Sequence, residues 1–497
     1  MHQRIAAWIV LGSVLAAGCT ADDPGPAGGA GAAVPREVTL AVGTFNVEYG
    51  GTLVDFDKVV EAAEAGGADI LGIEEAWGNT ERLAESLGWN FDARTQVISR
   101  FPILEPPGAD GRFVYVEVRP GHVVAVSNVH LTSSPYSPNK VVRGSISLDE
   151  VIAQEERVRL PELEPMLDAL APPVASGVPS FLLGDFNTPS HLDYVESAVG
   201  TRPEIPFVIP WPVTMAAEAA GFVDSYRAVH PDPVAAPGIT WPAGRPDLKG
   251  EWNPPDDAPN DRIDLVLSAG AATPTESVVI GEAGAEGVDV AVSPWPSDHR
   301  SVVSTFTVTP EPPPEPLVAT SPRVADAGQP VQITWIANSV TEVAVTHEGG
   351  EAYAVEQRRG SGSVTVADGL PTGRYVVEAR DADGIAASTP LWVREPGSGP
   401  TIATSADTYG AGEPIEITWT NAPGNRWDWI GLYRRGADPN VAWYLNWFYT
   451  RGMIEGEGSF DASAEGKWPR KPGEYTIYYL IDDSYAQVAS VDITITG

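Results

Sequence analysis

The apolar run Phe181-Leu182-Leu183 passes directly into Gly184-Asp185-Phe186-Asn187. So dense a run reads as a strand buried on both faces, whose polar residues emerge where the sheet stops. Such a strand needs partners on its edges and a covering layer on its faces, which excludes most simple architectures. The pattern recurs. Residues 42–49 read VGTFNVEY and release Asn46 and Glu48, and residues 68–75 read ADILGIEE and end in Glu74 and Glu75. Residues 123–131 read VVAVSNVHL and deliver His130, and residues 262–267 read RIDLVL and are followed by SDHR at 297–300. Open sheets collect polar groups for a ligand at strand ends of this kind.

Between these runs, residues 57–65, 79–87 and 150–170 carry apolar positions at helical spacing. Strands alternating with helices predict an α/β type of domain over residues 37–309. Residues 310–316 read PEPPPEP, a stiff polyproline spacer. Beyond it lies an internal repeat. The Ala-Thr-Ser at 319–321 recurs at 403–405, and Gly328, Pro330 and Trp335 recur as Gly412, Pro414 and Trp419, each 84 residues on. Gly373, Tyr375 and Asp383 then recur as Gly473, Tyr475 and Asp483, now offset by 100. Two homologous modules follow, over residues 317–396 and 400–497, the second carrying about 16 extra residues. Short alternating strands with Gly/Pro turns predict an immunoglobulin-like β-sandwich for each. The second module holds WDWIGLY at 427–433 and WYLNWFY at 443–449; these aromatics are expected to be core.

Residues 5–17 form an apolar run of about 13 residues, short of the roughly 20 that span a bilayer. The run ends in LAAGC at Cys19, the chain's single cysteine. This looks like a bacterial lipobox, so residues 1–18 are expected to be a lipoprotein signal peptide. Cys19 would then be the acylated residue, and residues 19–36 a disordered tether. The expected location is outside the cytoplasm, lipid-anchored at a cell-envelope membrane or cell surface. With one cysteine, no intramolecular disulfide forms. The formal net charge is −36, from 31 basic and 67 acidic side chains, which argues against a tight nonspecific grip on long nucleic acid.

Together with SRFPI at 99–103, the ordered strand-end motifs resemble the endonuclease/exonuclease/phosphatase superfamily, over about residues 38–308. That superfamily holds deoxyribonuclease I-like nucleases, abasic-site endonucleases, inositol-phosphate phosphatases and bacterial sphingomyelinases. The resemblance implies an α+β fold, a four-layer α/β/β/α sandwich with its site at one end. Two all-β immunoglobulin-like sandwiches would follow it. It also implies a metal shell of Glu75, Asn46 and Asp298, whose hard oxygens suit Mg²⁺, with Mn²⁺ or Ca²⁺ as alternatives. Asp185 would orient or deprotonate the attacking water, and Asn187 would hold a phosphate oxygen. His130 and His299 would bracket the phosphate, with Asp264 fixing the His299 ring. Glu74 is given no direct role. Glu48 reads as a water-mediated metal contact or an exposed acid, and Arg100 as scaffold. The loop at 132–144, with Tyr136, Lys140 and Arg143, is the candidate for substrate selection.

The expected activity is hydrolysis of a phosphodiester by metal-assisted attack of water. The substrate would be nucleic acid, phospholipid or a small phosphodiester. Alternatives are a nuclease acting on extracellular DNA or RNA, a sphingomyelinase-like phospholipid phosphodiesterase and a phosphomonoesterase. From another class comes a non-catalytic surface-binding protein, disfavoured because Glu75, Asp185, Asp264 and His299 are all present. The membrane is met through the N-terminal lipid, and no obligate protein partner is expected.

Overall fold

The structure is a computed structural model that describes residues 37–249, 253–255, 257–337, 340–350, 352–356, 360–461 and 471–497. The expected signal segment, Cys19 and the expected tether lie outside the described residues. In the first domain the strands are Val38–Asn46 (β1), Ile70–Glu74 (β2), Asn90–Asp92 (β3), Val97–Ser99 (β4) and Ile103–Leu104 (β5). Next come Val114–Arg119 (β6), His122–His130 (β7), Ser180–Asp185 (β8) and Val223–Asp224 (β9). Asp264–Ala269 (β10), Ala272–Glu282 (β11), Val290–Val292 (β12) and Ser301–Val308 (β13) complete the set. They form a seven-stranded sheet ordered β12-β11-β13-β1-β2-β4-β3 and a six-stranded sheet ordered β5-β6-β7-β8-β10-β9.

The two sheets pack face to face. Leu40, Val42, Ile70 and Phe306 from one meet Val124, Val126, Phe181, Leu183 and Val266 from the other in one buried cluster. The outer face of the first sheet turns Phe45, Leu71 and Ile73 onto helices Phe56–Ala65 (α1) and Thr80–Leu87 (α2). On the outer side of the second sheet lie Ser137–Val142 (α3), Leu148–Val158 (α4) and Leu160–Ala175 (α5). The expected α/β/β/α order is therefore present. One expected helix is split: residues 150–170 belong to α4 and α5, which break at Arg159. Pro161 falls in the first turn of α5, where its missing N–H is tolerated and where it favours a fresh helix start over continuation of α4. The loop at 132–144 also contains a helix, α3, with Pro138 in its first turn.

Strand periodicity places the site. Side chains alternate faces, so residues of one parity share a face. Leu40 and Val42 face the other sheet, hence so does Asn46; Phe181 and Leu183 carry Asp185 with them, and Val124 and Val126 carry His130. Strand direction then brings these residues to one end. β1 and β2 are parallel, as are β7 and β8, so their carboxyl ends coincide. β13 and β10 run antiparallel to them, so Asp264 and the segment before Ser301 arrive at the same end. In register, Asp185 lies opposite both His130 and Asp264.

Gly184 permits this close pairing. Its φ is +133°, and an added Cβ would lie 1.9 Å from the Val129 carbonyl oxygen. Gly184→Ala is expected to cost about 3 kcal/mol or more, from combined overpacking and backbone strain. A urea midpoint equal to that of the wild type would refute this.

The described residues divide into two compact units. One combines Val38–Glu315 with Ser398–Gly497, and the other holds Pro316–Gly397. The proline-rich segment begins attached to the first domain, since the Val123 N–H donates to the Glu311 carbonyl at 2.8 Å. The first module contains Leu317–Ser321 (β14), Val324–Asp326 (β15), Val331–Ile336 (β16), Glu342–His347 (β17), Ala352–Glu356 (β18), Gly362–Val366 (β19), Gly373–Asp381 (β20) and Gly384–Arg394 (β21). The second contains Thr401–Thr404 (β22), Thr408–Gly410 (β23), Ile415–Thr420 (β24), Trp429–Arg434 (β25), Asn446–Tyr449 (β26), Gly456–Phe460 (β27), Gly473–Leu480 (β28) and Gln487–Thr496 (β29).

Their sheets are β14-β16-β19 with β15-β21-β20-β17-β18, and β22-β24-β27 with β23-β29-β28-β25-β26, the same topology twice. Trp335 and Trp419 fill equivalent core positions. Tyr375 and Tyr475 each donate their hydroxyl to a carbonyl four residues back, the tyrosine corner of such sandwiches. The aromatic insertion divides. Trp427, Trp429 and Tyr433 are core, whereas Trp443 is 85% exposed and Trp447 39% exposed. The expectation of core fails for the latter two because Trp447 points out of an edge strand and Trp443 sits on the loop before it.

Candidate active site

Asp185 is the hub of the strand-end cluster. One carboxylate oxygen accepts from the Asn187 backbone N–H at 2.8 Å; the other accepts from the Asn46 and Asn187 side-chain amides, each at 3.1 Å. His130 Nε2 stands 3.6 Å and His299 Nε2 3.7 Å from that second oxygen. Burial raises the Asp185 pKa to about 6, with His299 and His130 opposing the rise and Asp264 adding to it. A carboxyl so placed exchanges a proton near neutrality.

His299 Nδ1 lies 3.0 and 3.2 Å from the two oxygens of Asp264, which fixes the ring. Burial disfavours its charge, but Asp264, Asp185 and Asp298 outweigh that and hold its pKa well above the usual histidine value. Asp264 is positioned in turn by Thr240 Oγ1, which accepts from the backbone N–H groups of Ile263 and Asp264.

Asn187 departs from its expected free amide. Its side-chain NH₂ donates to the Leu131 carbonyl at 2.9 Å as well as to Asp185. In this arrangement it braces Asp185, and contact with a phosphate oxygen would require exchanging one of those bonds.

Glu75 adopts a left-handed conformation, with φ 52°, which turns its carboxylate out of strand parity. One oxygen accepts from the Tyr49 backbone N–H at 2.9 Å, and the other faces the Asn46 amide at 3.4 Å. Asp298 accepts from Trp241 Nε1 at 3.1 Å. Burial raises the Asp298 pKa; His299 opposes the rise and the charge of Glu75 adds to it. Glu75 and Asp298 are thus two carboxylates that repel, while Asn46 turns its NH₂ toward Glu75 and Asp185 and its Oδ1 accepts from the Glu48 backbone N–H at 3.0 Å. That donor set fits a hard divalent cation, which takes one or two carboxylates and keeps several waters. Asp185, Asp264 and His299 also bring one ligand atom each within 4.8 Å of one another. Of these three, His299 bonds Asp264 while Asp185 accepts from Asn46 and Asn187, so their ligand atoms are engaged, whereas Glu75 and Asp298 carry mutually repelling charge that a cation would relieve.

Glu48 is neither exposed nor free for a water-mediated metal contact. It is buried, bonds Arg245 through both oxygens, and accepts from the Asp298 backbone N–H at 3.1 Å. Its ion pair shapes the SDHR segment. Glu74 is buried with both oxygens on the Thr44 hydroxyl. Burial and the charges of Asp264 and Asp185 push its pKa well above the carboxylate range. Arg100 lies at the opposite end of β2, near Ala68, Asp69 and Trp89.

The 132–144 segment is tied to the protein. The Tyr136 hydroxyl donates to Asp261 at 2.9 Å and its ring packs edge-on against Trp241, itself 6.4 Å from the His299 ring. Lys140 bonds Gln154 and Arg143 pairs with Asp257, so neither joins the Asp185 cluster. Asp261 also accepts from Tyr194, and burial raises its pKa from 3.8 to about 6 despite both hydroxyls. A raised folded pKa means this group's contribution is complete below about pH 4 and lost as pH climbs through about 6. Relative to Asp261→Asn, the wild type is therefore expected to lose stability across that window. Parallel melting curves at stepped pH check it, and a constant difference would contradict it.

Trp241, Arg245 and Thr240 escaped the sequence reading because no strand-end motif contains them.

The endonuclease/exonuclease/phosphatase family matches residues 43–299. The chain is 30% identical over 293 residues to an uncharacterized protein of Caenorhabditis elegans, covering 53% of this chain and 90% of that one. Among solved structures it is similar to an AP endonuclease from Archaeoglobus fulgidus, with 16% identity, 53% of this chain, 98% of that chain and a TM-score of 0.33. It is also similar to a mannosyl-6-phosphatase of Bacteroides thetaiotaomicron, with 14% identity, 54% and 99% coverage and a TM-score of 0.30. The class is that of phosphoric ester hydrolases that depend on a divalent metal. The chain belongs to the endonuclease/exonuclease/phosphatase family.

Proposed function

We propose that the protein is a Mg²⁺-dependent phosphodiesterase acting on a small or lipid-borne phosphodiester, exported and held at a membrane by acylated Cys19. The observation that carries the catalytic part is the convergence of Asp185, Asp264, His130 and His299 from both sheets at one end of the sandwich. Asp185 takes a proton from the attacking water as the water oxygen bonds to phosphorus. The bond to the leaving oxygen breaks on the opposite side. His299, fixed by Asp264, and His130 donate hydrogen bonds to phosphoryl oxygens as charge grows there. A divalent cation held by Asn46, Glu75 and Asp298 would supply further neutralisation of that charge.

The net charge of −36 supports a compact substrate over a long polyanion. Purified protein lacking the first 36 residues, given Mg²⁺, Mn²⁺ or Ca²⁺, should hydrolyse bis-p-nitrophenyl phosphate and at least one of sphingomyelin and phosphatidylinositol faster than plasmid DNA or RNA. No hydrolysis with any metal would sink the proposal, and preference for DNA or RNA would replace it with a nuclease.

Anchoring is tested separately. Cys19→Ala should move the protein from the detergent phase to the aqueous phase without changing its melting temperature, and equal partitioning of the two forms would refute the anchor.

A further inference from the structure

The second sandwich does not hang free of the first domain. Its Asp482 carboxylate accepts from the Gly78 backbone N–H and from the Gln96 side chain, the latter at 2.6 Å. In the other direction, Arg94 donates to the Gly424 and Gly452 carbonyls, and Arg426 donates to the Asn128 carbonyl at 2.9 Å. Asn128 lies two residues before His130 on β7.

The turn at 481–484 then reaches the site itself. Asp483 Oδ2 stands 3.8 Å from His130 Nδ1, on the side of the ring opposite Asp185. Three bonds hold that turn. The Asp428 carboxylate accepts from the Asp482 backbone N–H at 3.0 Å, Asp483 N–H donates to the Trp427 carbonyl at 2.9 Å, and the Tyr449 hydroxyl donates to Asp483 at 2.9 Å. Beside it, Tyr485 packs edge-on against Trp77, and Trp77 against Tyr49, whose backbone N–H binds Glu75.

Two further observations set this turn apart. Asp482 and Asp483 are left-handed, with φ of 54° and 59°, as are Glu75, Trp77 and Asn187 in the first domain. Non-glycine residues in that region cost about 1–3 kcal/mol each and persist where surrounding structure or function requires them. The internal repeat supplies the contrast. Asp383, the counterpart of Asp483 in the first sandwich, is exposed on a plain turn.

We infer that the second sandwich is part of the active site, and that its Asp483 is a positioning residue for His130. The inference rests on the phosphodiesterase reading for its kinetic consequence alone. Asp185 and Asp483 flank the two ring nitrogens of His130 at 3.6 and 3.8 Å, so their charges bias the ring toward one orientation. Tyr49, Trp77 and Tyr485 form the adjoining wall. The WDWIGLY segment thereby gains a purpose beyond core packing, because its Asp428 pins the turn that carries Asp483.

The test uses the full chain after the tether. Asp483→Asn should lower kcat on bis-p-nitrophenyl phosphate on the order of 10-fold with little change in KM, as loss of an imidazole's orienting partner does elsewhere. In a His130→Ala background the same change should cost nothing more. Asp483→Glu should recover part of the rate, Tyr449→Phe should lose a smaller part, and Asp383→Asn should match the wild type. Additive losses, an effect confined to KM, or an equal loss in Asp383→Asn would overturn the inference. A second measurement is independent of turnover. In ¹⁵N-histidine-labelled protein, the His130 ring-nitrogen shifts should move in Asp483→Asn, and unchanged shifts would overturn the contact. A wild type that hydrolyses nothing, yet shows the shift change, would defeat the proposed activity and leave the docking intact.

Discussion

His299→Ala is expected to lower kcat/KM on the order of 10²- to 10³-fold, and Asp264→Asn to lose a comparable share. The size is that of removing one preorganised donor to a charge that develops in the transition state. The two losses should not add. Asp264 meets His299 Nδ1 at 3.0 Å and leaves Nε2 turned toward Asp185 and Asp298, so its contribution passes through the ring. Once the ring is gone there is nothing left to orient, and the double variant should equal His299→Ala alone. Asp264 also begins β10, where it is fully buried opposite Asp185. If its role were limited to that strand end, Asp264→Asn would turn over normally and melt earlier. The double-mutant cycle on kcat/KM with parallel melting temperatures separates these outcomes, and strict additivity would dissolve the pair.

Glu75→Gln is expected to cut activity on the order of 10²-fold at low Mg²⁺, with partial recovery as Mg²⁺ is raised. Loss of a partner that merely orients a metal ligand costs about 10- to 100-fold, and loss of a direct ligand should reach the upper end of that range. Gln keeps the shape and the bond to the Tyr49 N–H, but a neutral amide is the poorer ligand for a hard cation. The Mg²⁺ concentration at half-maximal rate should therefore rise, and calorimetry on the slow His299→Ala background, with no substrate present, should show the same weakening. Full activity of Glu75→Gln in chelator-treated buffer would remove Glu75 from the metal shell.

Much of this arrangement was legible in the strands. Alternation along residues 40–46 and 181–185 already places Asn46 and Asp185 on one face, and the apolar runs mark where each strand stops. Short-range patterns carry that information because side-chain direction has a strict period of two. What escaped depends on partners far away in the chain. Glu48 looked like an exposed strand-end acid because Arg245, its ion-pair partner, lies 197 residues on and in no motif. Asp483 stood only as the repeat of Asp383, and nothing within its own module says that only one of the two meets a histidine. The break between α4 and α5 was different. Pro161 stood in the sequence, and the helical spacing of its apolar neighbours masked it.

The chain leaves its larger unit at Glu315 and returns to it at Ser398, and the Gly78–Asp482 bond closes a span of 404 residues. Topologically, the first sandwich is therefore cargo within a closed loop. The entropy of closing a flexible loop grows so slowly that doubling its length costs only about 0.6 kcal/mol. That module can lengthen, shrink or be exchanged for another with little penalty to the closure that completes the catalytic end. The opposite holds for the turn at 481–484. A catalytic domain whose second sandwich has not folded lacks one of the carboxylates facing His130, so full turnover waits on the folding of both.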